Sequence, residues 1–150
     1  MNVRILARVI IYNPKEQKLL LVKNKGTNFW YAPGGGWEYE GENILECVKR
    51  EALEEVGLTV DIKTMLYAQE FQAAPDIKFL ELFWLAVPKD GERYDVGHTD
   101  LDPNGQVEAA RWYSKDDLSD LKVFPKRLKD TFWDNIQVFL ATEDPFIGVS

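Results

Sequence analysis

The sequence predicts an α+β fold in which a mixed β-sheet lies between helices. Three observations favour this class over a doubly wound fold: segments with strand character follow one another in pairs, only two long segments have helical periodicity, and strands and helices do not alternate regularly. With 150 residues, 45% of them hydrophobic, the chain is large enough to bury a core without disulfides. We therefore expect a single domain over residues 1–150.

A β-hairpin is predicted at the start of the chain. Residues 3–12 are rich in Val and Ile, and residues 18–24 have the same character after the turn signal Asn13-Pro14-Lys15. Three connecting segments are predicted before the first helix: a loop at 26–28, a short extended piece at 29–32, and a sharp turn from Pro33 through three glycines to residue 43.

The first helix is predicted at residues 44–56. Asn43 can cap its N-terminus together with Glu46 three residues later, and Gly57 follows the last turn, where glycine commonly ends a helix. At 100° per residue, four apolar side chains form one stripe: Leu45, Val48, Ala52 and Val56. Three carboxylates share a neighbouring arc: Glu51, Glu54 and Glu55. One face of the helix packs, and the other gathers negative charge.

The second half of the chain predicts three further strands and two further helices. The strands are expected at 60–71, 77–87 and 107–113, with a long polar stretch at 88–105 between the last two. A short helix is predicted at 114–121, and a longer one at 125–141 with Pro125 in its first turn. The apolar positions of that last helix recur at helical spacing: Leu128, Phe132, Ile136, Phe139 and Leu140.

Charge and composition exclude several kinds of partner. A net charge of −7 argues against a nucleic-acid polymer, which requires a basic surface, although a divalent cation can still join an acidic protein to a small phosphorylated ligand. No apolar run is long enough to span a bilayer, and Arg4 and Arg8 interrupt the N-terminal apolar segment, so we expect neither a membrane partner nor a secretory signal. The single Cys47 lies in an apolar-patterned helix and is predicted to be a packed thiol in a cytoplasmic protein.

The clustered glutamates predict a site for a hard cation. Three carboxylates within five residues repel one another unless a cation or an arginine compensates them. Oxygen ligands without His or Cys suit Mg²⁺, with Mn²⁺ as a substitute, rather than zinc. The preceding glycines allow the backbone to approach an ion or phosphate oxygens closely. These parts together indicate a diphosphate site, whereas most glutamate clusters on helices are only solvated faces.

Residues 36–58, GWEYEGENILECVKREALEEVGL, resemble the Nudix signature G-x5-E-x7-R-E-U-x-E-E-x-G-U, where U is a bulky aliphatic residue. Eight positions fall in register: Gly36, Glu42, Arg50, Glu51, Glu54, Glu55, Gly57 and Leu58. The departure is Ala52 at an aliphatic position, which belongs to the packing stripe. Two further features extend the resemblance: the hairpin before the glycines, and the segment 106–112, in which an acidic residue precedes a tryptophan. The resemblance implies the Nudix α/β/α sandwich.

The resemblance also implies roles for the matched residues. Glu51, Glu54 and Glu55 would coordinate Mg²⁺, with the Gly36 carbonyl completing the shell. Arg50 would hold a glutamate in its ligating orientation. Glu42 would support the loop or bind the metal through water.

The general base is left open by the sequence. It is either a glutamate of the Nudix signature, such as Glu51 or Glu54, or a carboxylate of a later segment. Among the later candidates, Glu108 is favoured over Asp100 and Asp102 because it lies nearest the expected strand before Trp112.

Residues that contact substrate are less clearly marked. Trp37 and Tyr39 are expected in a loop and are favoured as stacking partners for a base. Four further aromatic residues could stack on a base but are less favoured, because aromatic residues in strands are more often part of a core: Trp30, Tyr31, Phe71 and Phe83. Lys23 is either a phosphate contact or an exposed strand lysine, and Gly35 would allow phosphate to approach the backbone.

The polar stretch 88–105 has two readings, a lid over the substrate or a plain surface loop. Its only histidine, His98, is expected to be exposed, and with one histidine in the chain no histidine metal cluster is expected. Residues 100–105 resemble the start of a calcium-binding loop, but the twelfth position is Arg111 instead of a glutamate, so calcium binding is rejected.

The predicted function is Mg²⁺-dependent hydrolysis of the diphosphate linkage in a nucleoside diphosphate derivative, such as a nucleoside triphosphate or a nucleotide sugar. The alternative is a non-catalytic module of the same fold that binds a nucleotide. The sequence does not choose the substrate, and it leaves a homodimer open.

Overall fold

The computed structural model describes residues 1–89 and 106–149. Within these residues the helical elements are α1 (Ile44–Val56), α2 (Thr131–Ala141) and two short 3₁₀ helices, Asp116–Leu118 and Lys126–Lys129. The strands are β1 (Asn2–Asn13), β2 (Lys18–Asn24), β3 (Trp30–Tyr31), β4 (Gly34–Gly36), β5 (Val60–Ala74), β6 (Ile77–Pro88), β7 (Val107–Tyr113) and β8 (Val123–Phe124).

The described strands form one mixed sheet with β1 near its centre. The order is β5-β6-β1-β2-β3-β8, with β4 also paired to β1 and β7 to β2. Strand β1 is antiparallel to β2 and β4 and parallel to β6. The parallel pairing places the first strand of the chain beside a strand seventy-five residues later, which gives the glycine segment and the β5–β6 hairpin a common neighbour.

Each face of the sheet packs against one long helix. Side chains alternate between the two faces along a strand, so Val9 and Ile11 of β1 pack with α1 whereas Ile10 and Tyr12 pack with α2. On the α1 side the core includes Val48, Ala52, Val56 and Trp84; on the α2 side it includes Phe132, Ile136 and Leu85. The predicted sandwich with a mixed sheet between helices is confirmed.

Helix α1 has the predicted boundaries. The Asn43 side chain accepts a hydrogen bond from Glu46 N, the Glu46 side chain accepts one from Asn43 N, and Gly57 ends the helix with φ 71°. The predicted packing stripe needs one correction. Leu45 is only half-buried, and Ile44 and Cys47 are buried instead, because the sheet covers the side of the helix that faces β1.

The glycine segment is a strand rather than only a turn. Gly34, Gly35 and Gly36 pair antiparallel with Arg8, Ala7 and Leu6 of β1. A side chain on Gly34, which has φ 154°, would collide with the Ala7 carbonyl oxygen. Three residues without side chains therefore allow the backbone to lie tightly between β1 and α1.

Two predicted helices near the C-terminus are wrong in extent. The segment 114–121 contains one 3₁₀ turn, Asp116–Leu118, followed by the unexpected strand β8. The predicted helix 125–141 is divided at Asp130, whose side chain accepts a hydrogen bond from Thr131 N and caps α2. Aspartate competes well for backbone amides at a helix N-terminus, so it starts a new helix there instead of continuing the old one.

The remaining expectations on the polar stretch fall outside the described residues. They include the lid, the exposed His98, and Asp100 and Asp102 as alternative bases. In the part of the chain that the structure describes, neither long helix has the length and apolar character needed to cross a membrane.

Candidate active site

Helix α1, which carries the glutamates and is called the glutamate helix below, lies directly on the glycine strand β4. A Cβ atom on Gly35 would stand 2.6 Å from Oε1 and 3.0 Å from Oε2 of Glu51. The Glu51 carboxylate thus occupies the space above β4 that a side chain at residue 35 would fill. Its position depends on contact between two residues sixteen positions apart in the chain.

Arg50 joins three glutamates. Its Nε and Nη2 donate to the two carboxylate oxygens of Glu42 at 2.8 and 3.0 Å. Its Nη1 donates to Glu51 Oε1 and to Glu54 Oε2, both at 3.1 Å. The guanidinium group therefore ties the loop before α1 to two carboxylates on the helix. Such charge-assisted bonds fix the orientation of both partners.

The charges of this cluster are unevenly balanced. The hydrogen bond from Arg50 holds the pKa of Glu42 below its ordinary value. Burial raises the pKa of Glu51, which is 8% exposed, although Arg50 acts in the opposite direction. One guanidinium group faces three carboxylates, so the cluster keeps an excess of negative charge beside the glycine strand.

Glu55 points to a different partner. Its Oε2 accepts a hydrogen bond from Gly34 N at 2.8 Å, and its side chain lines a cleft beside β4. The helix glutamates are thus divided between Arg50 and the glycine strand. Among the described residues no three His, Cys, Asp or Glu side chains already converge as ligands of one ion. The shared arc predicted from the sequence is real, but the carboxylates on it have separate partners.

The donor set nevertheless fits a hard cation. Its side chains supply only oxygen atoms, Glu51 is buried, and the negative charge exceeds what Arg50 neutralises. The carbonyl of Gly36, expected to complete a metal shell, instead accepts hydrogen bonds from Arg50 Nη2 at 3.3 Å and from the Cys47 thiol at 3.7 Å. That carbonyl is engaged within the protein in this structure.

Cys47 is the packed thiol that the sequence predicts. It is fully buried, and burial raises its pKa to about 12. A thiol that stays protonated is a poor nucleophile.

A cleft of about 590 Å³ opens beside the glycine strand, at the end of α1 that carries Glu55. Aromatic side chains supply much of its wall: Phe29, Tyr31, Phe71, Phe83 and Phe124. Polar and charged side chains are set between them: Arg8, Asn24, Gln69, Glu81, Gln106 and Lys126. Concave sites of this size, mostly apolar with a few polar groups, are typical of small-molecule binding.

The four residues predicted to touch substrate have other partners in the structure. Trp37 donates to the Glu42 carbonyl at 3.0 Å and contacts Tyr39, with ring centroids 6.1 Å apart. Lys23 forms an ion pair with Glu108 at 3.1 Å, and Gly35 lies under Glu51. None of these is among the described residues that line the cleft.

The cleft residues missed by sequence reasoning come from distant segments. Phe29 and Phe124 meet with ring centroids 5.3 Å apart, although ninety-five residues separate them in the chain. Arg8, Gln69 and Glu81 come from three different strands. The sequence does contain a signal for them, because each is a charged or polar residue within a strand. That signal indicates a shared polar site only once the neighbouring strands are known.

Comparison with known proteins gives a consistent result. A family model described as the NUDIX domain matches residues 3–132. An NAD-capped RNA hydrolase of Caenorhabditis elegans is 26% identical over 81% of this chain and 33% of its own length. The 8-oxo-dGDP phosphatase NUDT18 of Mus musculus is 31% identical over 76% of this chain and 33% of its own length. The chain thus spans about a third of the length of these curated relatives.

Solved structures agree on the fold. The crystal structure of a hydrolase of the NUDIX family from Clostridium perfringens superimposes with a TM-score of 0.69, over 95% of this chain and 100% of that one. Its sequence identity is 19%, so this likeness concerns the fold alone.

Proposed function

The chain belongs to the NUDIX domain family, and from this premise we propose that it hydrolyses the diphosphate linkage of a nucleotide-like molecule. The observation that carries the proposal is the position of Glu55. This residue belongs to the Arg50–Glu51–Glu54–Glu55 helix, binds the glycine strand, and lines the aromatic cleft. A ligand in the cleft would therefore meet Glu55, one of the three helix glutamates, at one end.

The relatives support a nucleotide as the substrate class. Their names specify 8-oxo-dGDP in one case and NAD-capped RNA in the other. A nucleoside attached to a diphosphate is common to both, and we propose this unit as the part that the cleft and the glutamates bind. The acidic net charge argues against a polymer as the main ligand, but a capped RNA belongs in any substrate screen.

Glu51, Glu54 and Glu55 are the residues that would hold Mg²⁺, or Mn²⁺ in its place. When bound, such an ion supplies neutralising charge to diphosphate oxygens and lowers the pKa of a water molecule. Arg50 then acts as a positioning residue for Glu51 and Glu54, and Glu42 holds Arg50 through two hydrogen bonds. Glu55 keeps the glycine strand in place through Gly34 N.

We propose Glu51 or Glu54, glutamates of the Nudix signature, as the proton acceptor, and Glu108, which the sequence favours among the later carboxylates, stays the alternative. The Glu108 carboxylate is paired with Lys23 at 3.1 Å and is not among the described lining residues of the cleft. Glu51 and Glu54 are also paired with a cation, Arg50, and also lie outside the cleft lining, but both are within four residues of Glu55 on α1, which lines the cleft. This proximity is our reason for proposing an oxygen atom of Glu51 or Glu54 as acceptor for the proton of the attacking water.

The test is a substrate screen with a matched pair of variants. Purified protein and Mg²⁺ are incubated with nucleoside diphosphates, triphosphates, nucleotide sugars and a capped RNA, and phosphate-bearing products are measured. We expect turnover of at least one compound, and loss of about 10²-fold or more in Glu54→Gln, as when a catalytic carboxylate is removed. Glu40→Gln is the control, because Glu40 is exposed in the loop before α1.

Two outcomes would contradict the proposal. Equal activity in Glu54→Gln would show that the glutamates of the Nudix signature do not take part in hydrolysis. Tight nucleotide binding with no turnover, unchanged in Glu54→Gln, would instead indicate the non-catalytic binding module.

Location and assembly are part of the same proposal. We propose the cytoplasm, supported by the single buried Cys47, which has no second cysteine to pair with. A homodimer is compatible with this proposal, and light scattering on the purified protein decides it.

A further inference from the structure

Three polar side chains adjoin on the floor of the cleft. Gln69 of β5 and Glu81 of β6 are direct cross-strand partners. Arg8 of β1 pairs in register with Phe83, two residues after Glu81, and its Nε lies 3.5 Å from Glu81 Oε2. Because alternate strand residues share a face, Gln69, Glu81 and Arg8 form one row across three neighbouring strands. All three line the cleft.

The Glu81 carboxylate has more hydrogen-bond acceptor positions than the protein fills with donors. Its side chain is 13% exposed, and its contact in the described part of the chain is the single one to Arg8. A carboxylate offers about four acceptor positions. The positions that Arg8 does not fill are left to water or to a ligand. The carboxylate is therefore available for a ligand that presents hydrogen-bond donors.

Arg8 is held in place beside this carboxylate. Its Nη1 donates to the Gly34 carbonyl at 3.1 Å, and its Cζ lies 5.4 Å from the centre of the Tyr31 ring. The guanidinium group has five N–H donors in a fixed plane, so donors remain beyond those used here. The floor of the cleft thus presents a pair of acceptor oxygens next to a fixed donor.

We propose that Glu81, positioned by Arg8, recognises a guanine-type base. Guanine carries two adjacent donors, N1–H and the 2-amino group, beside the O6 acceptor, which complements a carboxylate next to a guanidinium or amide donor. The Watson–Crick edge of adenine lacks this pattern. Phe71 and Phe83 lie on the same floor and favour a flat ring over a ribose diol as the group that Glu81 meets. The inference rests on the proposed function only in that a nucleotide occupies the cleft.

The test uses nucleoside monophosphates, which have no anhydride bond to hydrolyse, so its result is independent of catalysis. Binding of GMP, IMP, AMP and dGMP is measured by titration calorimetry. We expect GMP to bind on the order of tenfold more tightly than IMP, which lacks the 2-amino group, and AMP to bind more weakly still. We expect dGMP to bind like GMP.

A matched pair of variants assigns the effect to Glu81. Glu81→Gln, which keeps the shape but removes the charge and one acceptor, should bind GMP on the order of tenfold more weakly and lose the preference over IMP. Glu70→Gln is the control, because Glu70 is exposed on the same hairpin and also pairs with one cation, Lys78, at 3.5 Å. Thermal unfolding of both variants verifies that they are folded.

Three outcomes would overturn the inference. Equal binding of GMP and AMP by the unaltered protein is decisive even if Glu81→Gln does not fold. Weaker binding of dGMP than of GMP, without preference among bases, would assign Glu81 to the ribose. An equal loss for every nucleotide in Glu81→Gln would make its role structural. If guanine preference is found without any hydrolysis in the substrate screen, the proposed activity fails and this inference stands.

Discussion

The carboxylate of Glu51 lies over the Cα atom of Gly35, with Oε1 only 2.6 Å from where a Cβ atom would be. This contact joins the glycine strand to the glutamate helix. Neither the run of glycines nor the spacing of the glutamates predicts it alone. The glycine is required by the close approach of a charged side chain, which Arg50 holds from the other side.

Gly35→Ala is expected to displace Glu51. The new methyl group would stand within 3.0 Å of the Glu51 carboxylate, which is itself tied to Arg50. We expect a loss of about 1–3 kcal/mol in the free energy of unfolding, as in other overpacked sites, and a fall in activity of at least tenfold. Urea unfolding and the hydrolysis assay measure the two effects.

Gly36→Ala is the matched control for this change. There the new methyl group would meet the guanidinium end of Arg4, an exposed side chain that can move. We expect its stability to change by less than about 1 kcal/mol. If both alanine variants behave alike, contact with Glu51 does not explain the glycine.

Glu42→Gln is expected to make stability less dependent on pH. The hydrogen bond from Arg50 lowers the pKa of Glu42 below its ordinary value of 4.5 in the folded protein. The stabilisation from the ionised group is therefore fully present above pH 4.5 and is lost as the pH falls through the lower folded value. Glu42→Gln should cost about 1–3 kcal/mol at pH 7, with a difference from the unaltered protein that narrows below pH 4.5.

Urea unfolding at a series of pH values between 7 and about 3 measures this difference. Glu40→Gln, in the same loop, serves as the control and is expected to follow the unaltered protein. A difference that stays constant over the whole series would show that the Glu42 charge is not stabilised by folding.

Divalent metal is expected to raise the melting temperature through the glutamate cluster. A ligand present at about one hundred times its Kd, and bound only by the folded state, stabilises it by about 2.7 kcal/mol. Addition of Mg²⁺ should therefore shift thermal unfolding upward, and a chelator should reverse the shift. The shift should be strongly reduced in Glu54→Gln, whereas sodium chloride of equal ionic strength should not reproduce it.

Phe124→Ala is expected to weaken substrate binding. Phe124 is 47% exposed, lines the cleft, and meets Phe29 edge to face. Stacking of a base on an aromatic side chain contributes about 1–3 kcal/mol, so we expect KM to rise by on the order of tenfold with little change in kcat. Tyr39→Ala is the comparison, because Tyr39 is exposed and is not among the described residues that line the cleft. A larger effect of Tyr39→Ala would instead indicate that the base stacks in the loop before α1, as the sequence favours.

Local sequence determined the helix and its chemistry. The Asn43 cap, the Gly57 terminus and the spacing of Glu51, Glu54 and Glu55 depend on residues within about one or two turns, so periodicity and capping preferences were enough to predict them. The principal strands followed from their own apolar patterns. The resemblance of residues 36–58 to the Nudix signature added the reaction class and the fold.

Tertiary structure alone decided which partners these residues have. The glycine segment became a strand because β1 was beside it, and Glu55 was separated from Glu51 and Glu54 because Gly34 N was within reach. The cleft brought Arg8, Gln69 and Glu81 together from three strands whose register no local pattern specifies. The sequence by itself determined which groups could do the chemistry, and long-range strand pairing determined what each of them faces, because register depends on packing between distant segments.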